Sequence, residues 1–187
     1  MISFKRKNTN KGGDAGVKLK LPISSGLLLL RPYIATYLVC IAIPLLVGIL
    51  SAFLTKDYMI SYSELEKPPL APPAGLFPIV WTVLYILMGI SSATVLITRK
   101  TETMHSARCG LEWYAISLAL NFSWSLIFFR AEAYLFSFVW LILLLFSVVK
   151  TVKNYKKVSP IAAYLQIPYI LWLIFAAYLN AFYAIMY

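Results

Sequence analysis

Three tryptophans, Trp81, Trp124 and Trp172, stand well inside long apolar stretches of this chain, and each shares a helical face with particular neighbours. Trp81, Tyr85, Met88 and Ser92 follow the spacing i, i+4, i+7, i+11, while Asn121, Trp124, Ser125 and Phe128 follow i, i+3, i+4, i+7. Pro168, Trp172, Phe175, Ala176 and Leu179 repeat the pattern, with Asn180 one turn beyond Ala176. Residues three and four apart lie on one side of a helix. Asn121 and Asn180 must find partners there, because an unpaired amide in hydrocarbon costs several kcal/mol. Hydrogen bonds between helices, worth about 0.6–2 kcal/mol each, are one answer. The other is a cavity lined by Trp, Tyr, Phe and two amides, which suits a large flat apolar ligand with a few polar edges. That is binding chemistry.

Catalytic chemistry finds no such support. His105 is the single histidine, and no HExxH, CxxC or Ser/His/Asp set can be assembled around it. Phosphate-binding and dinucleotide glycine patterns are missing as well, so no catalytic residue, metal or cofactor is assigned. Cys40 falls within an apolar run and Cys109 at the edge of another, which argues against a disulfide. The carboxylates Asp57, Glu64, Glu66, Glu102, Glu112 and Glu132 all fall in loops or near helix ends. Ion-coupled transporters usually carry an intramembrane acid, so active transport is disfavoured.

The elements that must position the tryptophans follow from composition. Of 187 residues, 61% are hydrophobic and 13% charged, against roughly 45–50% and 25% in an ordinary soluble domain. A chain of this size cannot hide that much apolar surface in water. The expected class is an all-α integral membrane protein, a bundle of five transmembrane helices. Runs free of charge, apart from Glu112 one turn inside the third, place the spans at about 33–54, 73–98, 109–129, 133–149 and 158–186; about 20 residues cross a hydrocarbon core, and the short fourth and long fifth spans are accommodated by tilt or at the interface. Residues 33–187 form the membrane domain, and residues 1–32 read as a basic, disordered cytoplasmic tail rather than a signal peptide.

With the N-terminus inside, inner segments hold Lys5, Arg6, Lys7, Lys11, Lys18, Lys20, Arg31, Arg99, Lys100, Arg108, Lys150, Lys153, Lys156 and Lys157. Outer segments hold only Lys56, Lys67 and Arg130. The positive-inside rule then places the C-terminus outside. Anionic headgroups of the lipid bilayer account for the net charge of +10, so no nucleic-acid partner is required. Nothing resembles an organelle transit peptide, and a bacterial cytoplasmic membrane is the expected location.

Before the second span the chain reads Leu65-Glu66-Lys67-Pro68-Pro69-Leu70-Ala71-Pro72-Pro73. Its prolines bar a helix and favour an extended path, with Pro72 and Pro73 expected to open the next helix. Lys67, Pro68, Leu70, Pro72 and Pro73 could form a lid over the bundle mouth, or the segment could merely stop a helix. Pro44 and Pro168 predict kinks in the first and last spans. Gly48/Ala52 and Gly89/Ala93 permit close helix contact, within the bundle or between subunits.

These motifs resemble the translocator protein family, also called tryptophan-rich sensory proteins. The resemblance rests on Leu65-x-Lys67-Pro68-x-x-x-Pro72-Pro73, on Phe77-x-x-Val80-Trp81-Thr82-x-Leu84-Tyr85-x-x-Met88-Gly89, and on Asn121-x-x-Trp124-Ser125-x-x-Phe128-Phe129. Pro168-Tyr169-x-x-Trp172-x-x-Phe175-Ala176-x-x-Leu179-Asn180 and Pro44-x-x-x-Gly48 complete it, over about residues 33–187. It implies a five-helix bundle, often a homodimer, with a pocket under the first loop that takes porphyrins and in some members sterols or drugs. Carried over by position, the ligand-binding residues would be Trp81, Tyr85, Asn121, Trp124, Phe128, Trp172, Phe175 and Ala176. Many members carry a Trp where this chain has Leu70. In some bacterial members that Trp, with the one matching Trp172, is implicated in light-driven porphyrin breakdown, and Leu70 weighs against such an activity. The expected function is therefore tetrapyrrole binding, as sensor, buffer or translocator. A light-dependent porphyrin-degrading enzyme and a passive carrier of another apolar ligand, such as a sterol-like lipid, are the alternatives.

Overall fold

The computed structural model describes residues 23–58, 65–73 and 75–187, with side chains described from Arg31 onward. Helix α1 runs Ile23–Thr55 and ends in a 3-10 turn at Lys56–Tyr58. Helix α2 covers Leu76–Thr98, and a second 3-10 turn at Thr101–Thr103 leads into α3, Met104–Ser125. That helix finishes in a π-helical turn, Leu126–Arg130. Helix α4 is Tyr134–Val158, and the last rod is two pieces, α5 (Pro160–Tyr164) and α6 (Ile167–Met186). No strand occurs among the described residues.

Helix α1 packs along α2, α3 along α4, and α4 also along α5 and α6, which closes an all-helical bundle of five rods. Among the described residues, four stretches are long and apolar enough to cross a bilayer: Arg31–Tyr58, Leu76–Thr98, Tyr134–Val158 and Pro160–Met186. Helix α3 differs because its first turns are polar, with Arg108 donating to Glu112 at 3.0 Å on an exposed face.

Several boundaries depart from expectation. Helix α1 begins at Ile23, ahead of residue 33, so only residues 1–22 of the expected tail fall outside the described residues. Helix α4 continues through Lys150–Lys157 to Val158, since charged side chains end an apolar run without ending a helix. Pro72 and Pro73 do not open α2; Leu76 N donates to Pro73 O at 2.9 Å and the helix starts there. The last rod breaks at Leu165–Gln166, which leaves Pro168 in the first turn of α6, where its missing N–H costs nothing.

Pro44 does not interrupt α1. Lacking an N–H, it leaves the Cys40 carbonyl without its usual helical donor. Gly89 of α2 lies against that carbonyl: a Cβ there would stand 2.7 Å from Cys40 O and 2.5 Å from Ile41 Cα. One turn earlier on α2, the Tyr85 ring fills the space above Gly48, and a Cβ on Gly48 would run into it. Both glycines therefore serve the contact of α1 with α2 inside the bundle. Gly110 does the same for α3 and α4, beneath the Tyr155 ring.

Polar groups tie the rods at three levels. Ser91 Oγ donates to Ala162 O at 2.6 Å, and Ser92 shares a hydrogen bond with Tyr155. Trp140 Nε1 on α4 donates to Ser123 Oγ and Leu120 O on α3. Asn180 makes the third tie. With its amide oriented to satisfy both ends, Nδ2 donates to Tyr134 O at 2.9 Å, and Oδ1 accepts from Trp124 Nε1 at 3.1 Å. Ser137 Oγ completes the knot, so α3, α4 and α6 meet at one amide.

Two predictions follow from these contacts. Gly89→Ala should cost about 1–3 kcal/mol, as overpacking against backbone does, and should lower the thermal midpoint in detergent by several degrees. Gly75→Ala, which meets nothing within 4 Å, should leave it unchanged. Second, Asn180→Leu and Trp124→Phe should each destabilise, and the double variant by less than their sum. The coupling expected of a direct hydrogen bond is about 0.5–3 kcal/mol, measured by a denaturation cycle.

Candidate functional site

The aromatic residues of interest divide into two groups. On α2 and α6, Trp81 lies 5.4 Å from Tyr85, 6.1 Å from Tyr169 and 6.5 Å from Trp172, ring centre to ring centre. Phe77 meets Trp172 edge-on at 5.8 Å, and Phe175 extends the group at 5.6 Å from Trp172. Asn121 of α3 joins it from behind, donating from Nδ2 to Tyr85 Oη at 2.9 Å. The structure thus brings together Trp81, Tyr85, Asn121, Trp172 and Phe175.

Trp124 and Phe128 belong to the second group. Their rings stack at 5.2 Å, and Phe128 packs edge-on against Tyr134 and Tyr183 in the π-helical end of the bundle. Trp124 is committed through Nε1 to Asn180, so this pair braces helices. Ala176 is buried on α6.

The division follows from the rotation of α6. Its buried stripe is Tyr169, Leu173, Ala176, Asn180 and Tyr183, spaced i, i+4, i+7, i+11, i+14. Trp172 and Phe175 are on the adjacent stripe and are only half-buried. The Pro168–Trp172–Phe175 face read from the sequence is therefore turned partly away from the core. Tyr169 is the residue that reading left out; its spacing of eleven from Asn180 was the available signal.

Two polar atoms carried by residues that touch the first group, Asn121 Oδ1 and Tyr169 Oη, are buried without a hydrogen-bond partner among the described residues. Groups of this kind are costly in a dry interior unless a water or a ligand atom meets them. The site accordingly has an aromatic wall with unsatisfied polar atoms on residues that touch it.

An open groove of about 520 Å³ runs along the outside of the same group, between α2 and α6. Ile79 and Val83 form one lip and Leu171 the other, all more than half exposed. Trp172, Phe175, Leu84 and Val80 form the floor, with Pro168 at one end.

The proline segment is folded over the end of α6. Ala71 N donates to Pro68 O at 3.1 Å, which makes a turn where an extended path was expected. The turn requires Leu70 in the left-handed region, at φ 67°. Pro68 is buried, Pro72 half-buried, and Lys67 and Pro73 exposed, while Leu70 is 83% exposed. Tyr178 Oη donates to Pro69 O at 2.8 Å, and Tyr187 Oη accepts from Glu66 N at 3.2 Å. His105 and Cys109 sit one turn apart at 3.6 Å on α3, and no cluster of three metal-binding side chains occurs among the described residues.

Comparison with known proteins gives the family. The family model described as the TspO/MBR family matches residues 40–186. The chain is 40% identical to the Tryptophan-rich protein TspO of Chlorobaculum tepidum over 79% of its own length and 92% of that protein's. It is 35% identical to Protein CrtK of Rhodobacter capsulatus, over 64% of this chain and 73% of the relative. It is 39% identical to the Translocator protein of Ovis aries, over 64% and 70%. The apolar rods and this match agree: the chain is an integral membrane protein and belongs to the TspO/MBR family.

Proposed function

We propose that the protein binds a flat, largely apolar ligand of the tetrapyrrole class against Trp81, Tyr85, Trp172 and Phe175, and acts in sensing, buffering or moving it. The observation that carries this reading is the aromatic wall with Asn121 Oδ1 and Tyr169 Oη unpaired on residues that touch it. Ring faces supply contact area for a macrocycle, and the amide and hydroxyl supply polar anchors for its edge. Names among the relatives, tryptophan-rich TspO and translocator protein, fit a binding role. In this reading α3 also spans the membrane as the fifth crossing, with the N-terminus inside. Trp124 and Phe128 contribute indirectly, by holding α3 against α4 and α6.

Binding rather than breakdown is favoured by Leu70. A redox role for Trp172 would need a second oxidisable ring across the ligand, and the exposed loop tip carries an aliphatic side chain instead.

Protoporphyrin IX titrated into purified protein should quench Trp fluorescence saturably, beyond the quenching in empty micelles. Trp172→Ala should weaken the affinity about thirtyfold, the loss of about 2 kcal/mol expected of a Trp anchor covered by its ligand. Trp124→Phe should change it far less. Equal loss in both variants, or none in either, would place the ligand elsewhere.

A further inference from the structure

We propose that the ligand reaches the Trp81–Trp172 group sideways, out of the hydrocarbon, through the groove between α2 and α6. This access route rests on the tetrapyrrole reading above and adds to it the source of the ligand: molecules already dissolved in the bilayer.

Three observations converge. First, the groove and the aromatic group share a wall. Trp172 and Phe175 form the groove floor and also belong to the group around Trp81, so a ring moving inward passes from one set of contacts to the next. Second, the mouth is apolar throughout: Ile79, Val83 and Leu171 stand more than half exposed on its lips. An opening of this kind is costly in water and nearly free in lipid, whose tails are as apolar as the lips. Third, the described part of the loop, residues 65–73, is tied down over the end of α6. Tyr178 and Tyr187 hold the proline segment to α6 through Pro69 O and Glu66 N, and Pro68 is buried beneath it. Passage there requires both bonds to break, whereas passage between α2 and α6 breaks no hydrogen bond that either lip makes.

The test uses the full chain in lipid nanodiscs loaded with protoporphyrin IX, with association and dissociation followed through porphyrin absorbance. Ile79→Phe with Leu171→Phe narrows the mouth from two exposed positions, and Val83→Phe repeats the test from a third. Tyr178→Phe with Tyr187→Phe releases the loop. Sideways access predicts that mouth variants slow association and dissociation together, at least tenfold, with Kd held within about twofold, while loop release leaves both rates unchanged. Unchanged rates in the mouth variants, or rates that rise on loop release, overturn the route while leaving the binding intact. Absence of saturable binding by the wild-type chain overturns the tetrapyrrole reading, and the route with it.

Discussion

The approach of α2 to α1 is the contact on which the site depends. Pro44 withholds a hydrogen bond from the Cys40 carbonyl, and Gly89, with no side chain, brings the α2 backbone up to it. A turn away, Gly48 leaves room for the Tyr85 ring to lie on α1 instead of being pushed outward. Seated there, Tyr85 meets Trp81 on one side and carries its hydroxyl to Asn121 on α3. Two missing side chains and one missing amide proton thus align the wall to which Trp172 is added from α6. In lipid, where apolar side chains gain nothing by leaving solvent, close packing of this kind is what holds helices together.

The two buried asparagines use their amides differently. Asn180 spends both ends of its amide on Trp124, Tyr134 and Ser137, and Trp124 is thereby a brace. Asn121 spends only its donor, on Tyr85, and keeps an acceptor unpaired. One amide is used in full within the bundle, and the other keeps a buried acceptor without a partner among the described residues. That contrast separates the rigid π-helical end of the bundle from the aromatic flank of α2 and α6.

Much of this was legible in the sequence, for physical reasons. Charge-free runs located the rods, because charges inside hydrocarbon are too costly to be scattered. The spacing of Trp81 with Tyr85 put both rings on one face of α2, where they meet, while Asn121 and Trp124, read as one face of α3, turn to different neighbours, Tyr85 and Asn180. What it could not supply was rotation: a one-residue step around α6 separates the half-buried Trp172 stripe from the buried Tyr169 stripe, and only neighbouring helices decide between them. Helix ends were equally hidden. Nothing in Lys150–Lys157 signals that α4 continues, since lysines are good helix formers that end an apolar run without breaking the backbone. Prolines 72 and 73 are compatible with a helix start, yet the turn at Pro68–Ala71 and the bond from Leu76 to Pro73 O use the segment differently.

Helix α4 is longer than a crossing requires. Its 25 residues reach about 37 Å at 1.5 Å each, beyond a hydrocarbon core of about 30 Å. The surplus lies at the end where Lys153, Lys156 and Lys157 are exposed and where the Lys150 ammonium rests on the Phe146 ring at 5.2 Å. That end of α4 leads through Ser159 straight into α5 and the start of α6, so the lysine cluster and Trp172 are joined by one short, buried corner of the chain, and a shift of the first is passed on to the second.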